Sequence, residues 1–140
     1  MSFKFLEHTA DVKVQVEEKT LNRAFSTAAL ALKEVMAEQI LVAPRIKKEI
    51  EVEGDDKSAL LYNFIEEFLY LFDTEGFILS KAPLVKITAK EDKKFVLEAK
   101  AIGDNASKYV ITNDVKAITY NDMEIEEEKD KVTITFVLDV

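Results

Sequence analysis

Cysteine is absent from this 140-residue chain, histidine occurs once and glycine only three times. Without cysteine there is no disulfide, no thiolate metal site and no thiol nucleophile. A single histidine leaves no two-histidine metal motif, and with no nucleophile motif near it, it makes a poor member of a catalytic triad. Gly54, Gly76 and Gly103 are too few for a phosphate-cradling P-loop or a dinucleotide fingerprint. Positive charge is also scarce: 19 Lys and Arg stand against 27 Asp and Glu, a net charge of −8. Nucleic acid affinity leans on cationic contacts, so no direct nucleic acid binding is expected, and a role near RNA would run through a partner protein. No window approaches the length of a membrane span. The start, Met1-Ser2-Phe3-Lys4-Phe5, lacks the basic region and long apolar stretch of an export signal, so a cytoplasmic protein is expected.

What remains is ordinary globular material, 48% hydrophobic and 33% charged. The length suits one domain over residues 1–140, with no repeat, low-complexity tract or linker to divide it. From residue 3 to 17 the chain alternates. Leu6, His8, Ala10, Val12, Val14 and Val16 share one parity, and Glu7, Thr9, Asp11, Lys13 and Gln15 share the other, as in one half-buried strand. Thr20 is placed as an N-cap for an amphipathic helix to about residue 38, carried by Leu21, Phe25, Ala28, Ala29, Leu32, Val35 and Met36.

Ile46, Ile50 and Val52 mark a second strand, and Gly54-Asp55-Asp56 a turn whose carboxylates suit the positive end of a following helix over 58–73. Apolar residues wrap much of that second helix, which predicts that it is the central, well-buried one. Gly76 is placed as its C-terminal cap. Beyond Phe77 come strands near 77–79, 84–90, 94–102, 115–125 and 132–140, with hairpin turns at Glu91-Asp92-Lys93 and Lys129-Asp130. The order predicts an α+β fold, with two helices packed on one face of a largely antiparallel or mixed sheet.

Two aspartates stand out. Asp11 lies on the parity opposite the valines, and Asp139 on the parity opposite Val132, Ile134, Phe136 and Leu138, just before Val140. If the first and last strands meet, Asp11, Asp139 and the carboxylate of Val140 converge as oxygen ligands, which suits Ca²⁺ or Mg²⁺ rather than Zn²⁺. The alternative is that both are simply solvated. His8 shares the valines' parity, as a core-edge residue would. Lys116 shares parity with Ile118 and Tyr120, and either snorkels or aims its ammonium at a carboxylate cluster or a phosphate. Asp73 and Glu75 close the second helix against its dipole, which asks for either plain exposure or a functional reason. Glu124, Glu126, Glu127 and Glu128 read as a solvated hairpin end that could meet a basic surface.

Five blocks in order resemble the archease family: Phe5-Leu6-Glu7-His8-Thr9-Ala10-Asp11-Val12, Ala28-Ala29-Leu30-Ala31-Leu32, Leu69 to Phe77, Val115 to Tyr120, and Val137-Leu138-Asp139-Val140. The resemblance covers essentially the whole chain. It implies a small accessory protein, not itself an enzyme, of the RtcB-type RNA ligase of tRNA splicing and RNA repair, promoting guanylylation and multiple turnover of that ligase and broadening its nucleotide use. It further implies a divalent metal ion, Ca, Mg or Mn, at Asp11, Asp139 and Val140, with Lys116 in ligase activation; the reading of the residues themselves adds His8, Asp73 and Glu75 as supporting candidates. Two departures stand beside it: Asn121 replaces the family's usual His after the tyrosine, and the 103–114 loop lacks the His and Pro that many members carry. Outside the family, the residues also admit a general interaction or chaperone-like module, or a metal-dependent phosphoester hydrolase.

Overall fold

The computed structural model describes residues 2–6 and 11–140. It contains strands β1 (Ser2–Leu6), β2 (Asp11–Glu18), β3 (Ile46–Gly54), β4 (Phe77–Leu79), β5 (Leu84–Ala89), β6 (Phe95–Asn105), β7 (Ala117–Glu128) and β8 (Lys131–Asp139), with helices α1 (Leu21–Met36) and α2 (Lys57–Glu75). The fold is α+β and every strand pairing is antiparallel. The strands form two sheets. One has the order β1-β2-β8-β7; the other is built on β6, with β3 along one side and β4 and β5 pairing with it as well.

Local chemistry explains the helix ends. The Thr20 hydroxyl accepts the Arg23 N–H, and the Asp56 carboxylate accepts the Ala59 N–H, so each side chain satisfies one of the donors a helix start leaves open. Gly76 ends α2 in the left-handed conformation at φ 65°, which costs a residue without Cβ nothing. The hairpin turns expected at Glu91-Asp92-Lys93 and Lys129-Asp130 join β5 to β6 and β7 to β8.

Three expectations are corrected. The alternating run 3–17 is not one strand, because β1 and β2 pair antiparallel with Phe3 opposite Val16 and Phe5 opposite Val14. Opposed residues share a face, so the odd-numbered Phe3 and Phe5 lie with the even-numbered Val16 and Val14: the parity switches between β1 and β2. Secondly, α1 rather than α2 is the more enclosed helix: Ala24, Ala28, Ala29 and Ala31 let the two sheets approach it closely, while α2 exposes Glu66, Tyr70 and its last turn. Each helix touches both sheets, α1 through β2 and β5, α2 through β3 and β7. The core gathers between them around Phe25, Phe64 and Phe136. Thirdly, β7 is interrupted. Val137 faces Thr119 and Thr135 faces Glu124, so four residues of β7 oppose one of β8. Among the described residues no helix is long and apolar enough to cross a membrane.

The irregular stretch after Gly103 is held by a buried carboxylate. Asp104 accepts the Tyr109 hydroxyl at 2.7 Å and the Asn105 N–H at 2.8 Å, with Lys108 and Arg45 at 3.6 and 4.0 Å. Tyr109 in turn accepts the Ala43 N–H, tying the segment after α1 to the same point. The Tyr109 hydrogen bond first, then that of Asn105 and the two cations, hold the Asp104 carboxyl below its usual pKa, against the opposing effect of burial. A depressed carboxyl pKa adds stability that is present above the unfolded-state value and disappears as pH falls through the folded-state value. Asp104→Asn is therefore expected to lower the melting temperature at pH 7, and the gap to wild type should close as pH drops into the acid range below about 4. A gap that is constant with pH, measured by circular dichroism melts, would reject the assignment.

Candidate functional site

The site is assembled by the register of three strands. β2 lies antiparallel to β8 with Asp11 directly opposite Asp139, and β8 lies antiparallel to β7 with Asp139 opposite Ala117. Beneath them, Val12 faces Leu138 and Leu138 faces Ile118, a layer in which Leu138 and Ile118 are buried in the core. Hydrophobic burial of that layer is what fixes the register, since a slip by one residue would turn the aspartates inward and the apolar side chains out. Directly opposed residues carry their Cβ atoms about 4.5–5.5 Å apart on one face, and like charges so placed repel.

Asp11 is half-buried, whereas Asp139 and Val140 are exposed. Lys116, immediately before β7, donates its backbone N–H to the Asp139 carbonyl at 2.7 Å, so the lysine is tied to the aspartate through the main chain. Its side chain is exposed and forms no ion pair among the described residues. Four of the sequence candidates, Asp11, Lys116, Asp139 and Val140, thus come together at one end of the first sheet.

The remaining candidates fall elsewhere. His8 lies outside the described residues. Asp73 and Glu75 occupy the exposed last turn of α2, where Glu75 pairs with Lys48 of β3 in the second sheet. That ion pair supplies a local reason for an acid at the wrong end of a helix dipole. No group of three or more His, Asp or Glu side chains with ligating proximity occurs among the described residues.

Two features near the aspartates carry no clear sequence signal. In the β7 bulge, Asp122 takes a left-handed conformation at φ 57° and pairs with Lys13 of β2 at 3.7 Å. Because β8 lies between β7 and β2, the bulge leans across β8, where Thr135 and Val137 are buried. Asn121 is part of this bulge and donates its N–H to the Thr119 hydroxyl. Asn and Asp tolerate left-handed backbone, and this polar pair inside an alternating strand is the one hint available. On α2, Tyr62 stacks on the exposed Tyr120, with ring centroids 4.5 Å apart and planes 6° from parallel. Partial desolvation, then the neighbouring Tyr62, Asp56 and Glu66, raise the Tyr120 hydroxyl above its ordinary pKa.

Chemically, paired carboxylates with main-chain oxygens beside them form a hard, oxygen-only donor set, which fits a divalent cation of the Ca²⁺, Mg²⁺ or Mn²⁺ kind.

Comparison with known proteins gives one consistent result. The family model described as the Archease protein family (MTH1598/TM1083) matches residues 3–140. A protein archease from Sulfurisphaera tokodaii is 38% identical over 140 residues, covering 99% of this chain and 98% of the relative. One from Pyrococcus furiosus is 43% identical over 126 residues, covering 89% of this chain and 87% of the relative. The solution structure of Methanobacterium thermoautotrophicum protein 1598 is similar with a TM-score of 0.84 at 32% identity, covering 99% of this chain and 98% of that one. The crystal structure of an archease and possible chaperone from Thermotoga maritima has a TM-score of 0.59 at 19% identity, covering 98% and 96%, a likeness of fold.

Proposed function

The chain belongs to the archease family, and from that premise we propose that it is an accessory protein of an RtcB-type RNA ligase, promoting the ligase's guanylylation and multiple turnover in tRNA splicing and RNA repair. The observation that carries this reading is the facing pair Asp11 and Asp139, with Lys116 hydrogen-bonded to the second of them. A surface-forming domain that needed only to be soluble would gain nothing from opposing two carboxylates across a strand pair.

Asp11, Asp139 and the main-chain oxygens of Val140 would hold a divalent cation. Bound there, the ion would neutralise the pair and present positive charge to the ligase's guanylylation site. Ca²⁺ takes about six to eight oxygens, more than these residues supply, so the remaining positions go to water or to the ligase itself. Lys116 extends into solvent beside the pair and is available to a carboxylate or phosphate of the partner. The net charge of −8 suits encounter with a ligase whose RNA channel is basic, because complementary charge raises the association rate.

The test is ligase guanylylation and RNA joining under multiple-turnover conditions, with and without this protein. Joining that continues beyond one round only when it is present supports the proposal; unchanged turnover sinks it. Lys116→Ala is expected to reduce stimulation about tenfold, the low end of what one hydrogen bond to a charged group is worth, while leaving the melting temperature unchanged. Full stimulation by that variant would remove Lys116 from the mechanism. Turnover of phosphoesters by the purified protein alone would favour the hydrolase reading instead.

A further inference from the structure

The outer face of the second sheet carries a different concentration of charge. An open groove of about 630 Å³ lies over the end of β6, between the start of β3 and the segment 80–83 that precedes β5. Its floor is Ile102. On one side Lys47 is the cross-strand partner of Ile102. On the other, the Ser80 N–H donates to the Ile102 carbonyl at 2.8 Å, which places Lys81 directly beyond it. Lys100, two residues along β6, shares the face of Ile102, and Leu84 lies opposite Lys100 on β5. Adjacent strands lie about 4.8 Å apart and residues two apart on one strand about 6.6 Å. Three lysines therefore surround one apolar point within the reach of their own side chains.

None of Lys47, Lys81 and Lys100 forms an ion pair among the described residues. A chain with eight more acids than bases has carboxylates to spare, yet the lining of this cavity has one acid, Glu49, which faces Lys100 across β3 and β6, and leaves Lys47 and Lys81 with no acid of the lining opposite them. Farther along the sheet acids outnumber lysines: Glu51 faces Glu98 across β3 and β6, with Lys86 on the other side of Glu98, in the lining of the adjoining groove. An extended polyanion running down the sheet would meet that repulsive pair. A compact one confined to the lysine end would not.

We propose that the groove bounded by Lys47, Lys81 and Lys100 binds a compact polyphosphate, either inorganic pyrophosphate or a nucleoside di- or triphosphate. The lysines take the phosphate oxygens as point charges, and Ile102 and the exposed Leu84 offer apolar surface to a ribose or base. The site is remote in the fold from Asp11 and Asp139, on the other sheet, and does not depend on the ligase role.

Titration of ¹⁵N-labelled protein separates the sources. Pyrophosphate, ATP, a twelve-residue oligouridylate and an oligoglutamate peptide are each added in metal-free low-salt buffer. Saturable amide shifts at Lys47, Ser80 to Ala82 and Ala101 to Ile102 are expected with pyrophosphate and ATP, and affinity should fall as salt is added. Shifts with ATP alone would assign the site to nucleotides, still in support. Lys81→Ala and Lys100→Ala should each weaken binding about threefold, the worth of one exposed charge contact. Lys90→Ala, on the turn between β5 and β6, should leave it unchanged. No saturable shift in the groove by millimolar pyrophosphate or ATP would overturn the proposal. So would equal affinity in the double lysine variant, or a stronger response to the oligouridylate or the oligoglutamate.

Discussion

Gly103→Ala is expected to be the most damaging single-atom-scale change in the chain, lowering the melting temperature by roughly 10 °C or more or abolishing soluble expression. Gly103 sits in β6 where strands flank it on both sides, opposite Ile46 of β3 and Leu79 of β4. Its carbonyl also accepts the Arg45 N–H at 2.8 Å. A Cβ built there would lie 1.8 Å from the Ile78 carbonyl oxygen, 2.8 Å from the Ile78 carbonyl carbon and 3.0 Å from the Phe77 ring. The first two are backbone atoms of a paired strand, so no rotamer change relieves the collision. β4 would have to leave its pairing, and with it Phe77, Ile78 and Leu79, all buried. Overpacking typically costs about 1–3 kcal/mol and occasionally more, and a collision with backbone that no rotamer relieves belongs at the upper end, a large share of a stability of about 5–15 kcal/mol.

Gly76→Ala makes the contrast. Its φ of 65° strains any other residue, but a Cβ meets nothing closer than the Asn105 side-chain oxygen at 3.5 Å. The expected loss is about 1 kcal/mol, that of a left-handed C-cap without glycine. Circular dichroism melts of the two variants decide the matter. A Gly103→Ala protein that melts near wild type would mean that β4 does not pair with β6 as described.

The same two glycines show where sequence reading succeeds and where it stops. Gly76 is legible because a helix pattern ends on it, Thr20 is legible as a cap, and Asp56 as an acid suited to a helix start, for the matching reason: each acts on backbone within a few residues of itself. Gly103 gives no such sign, since what makes it indispensable is a strand from another part of the chain. The division of the strands into two sheets is hidden for the same cause, as parity tells which face a residue occupies and not which neighbour it has. Periodicity overrated α2, which exposes Glu66, Tyr70 and its last turn although apolar residues wrap much of it. It underrated α1, whose alanines give a weak hydrophobic signal and yet permit the closest approach. Asp11 and Asp139 were each legible as outward-facing acids; that they oppose one another is a property of the β2–β8 register alone.

That register gives the second large effect. Asp11→Asn and Asp139→Asn are each expected to remove the stabilisation by divalent cation and the stimulation of the ligase together. The substitution keeps the shape of the side chain and the backbone pairing of β2 with β8, and removes one of the two facing charges. In metal-free buffer Asp139→Asn should not melt below wild type, because the loss of a like charge across a strand pair relieves repulsion. With Ca²⁺, Mg²⁺ or Mn²⁺ at about a hundred times its dissociation constant, the wild-type protein should gain about 2.7 kcal/mol, a rise of roughly 8 °C for a domain of this size. The variants should show little of it. If the cation raises the melting temperature of Asp11→Asn as much as that of wild type, the facing pair is not the metal site. If the thermal response is lost while ligase turnover is stimulated as before, the pair binds metal for the sake of this domain's own stability, and the activating contact lies on another surface. Only the joint loss of both responses ties the end of the β2–β8–β7 sheet to the ligase, and both can be measured on the same three proteins.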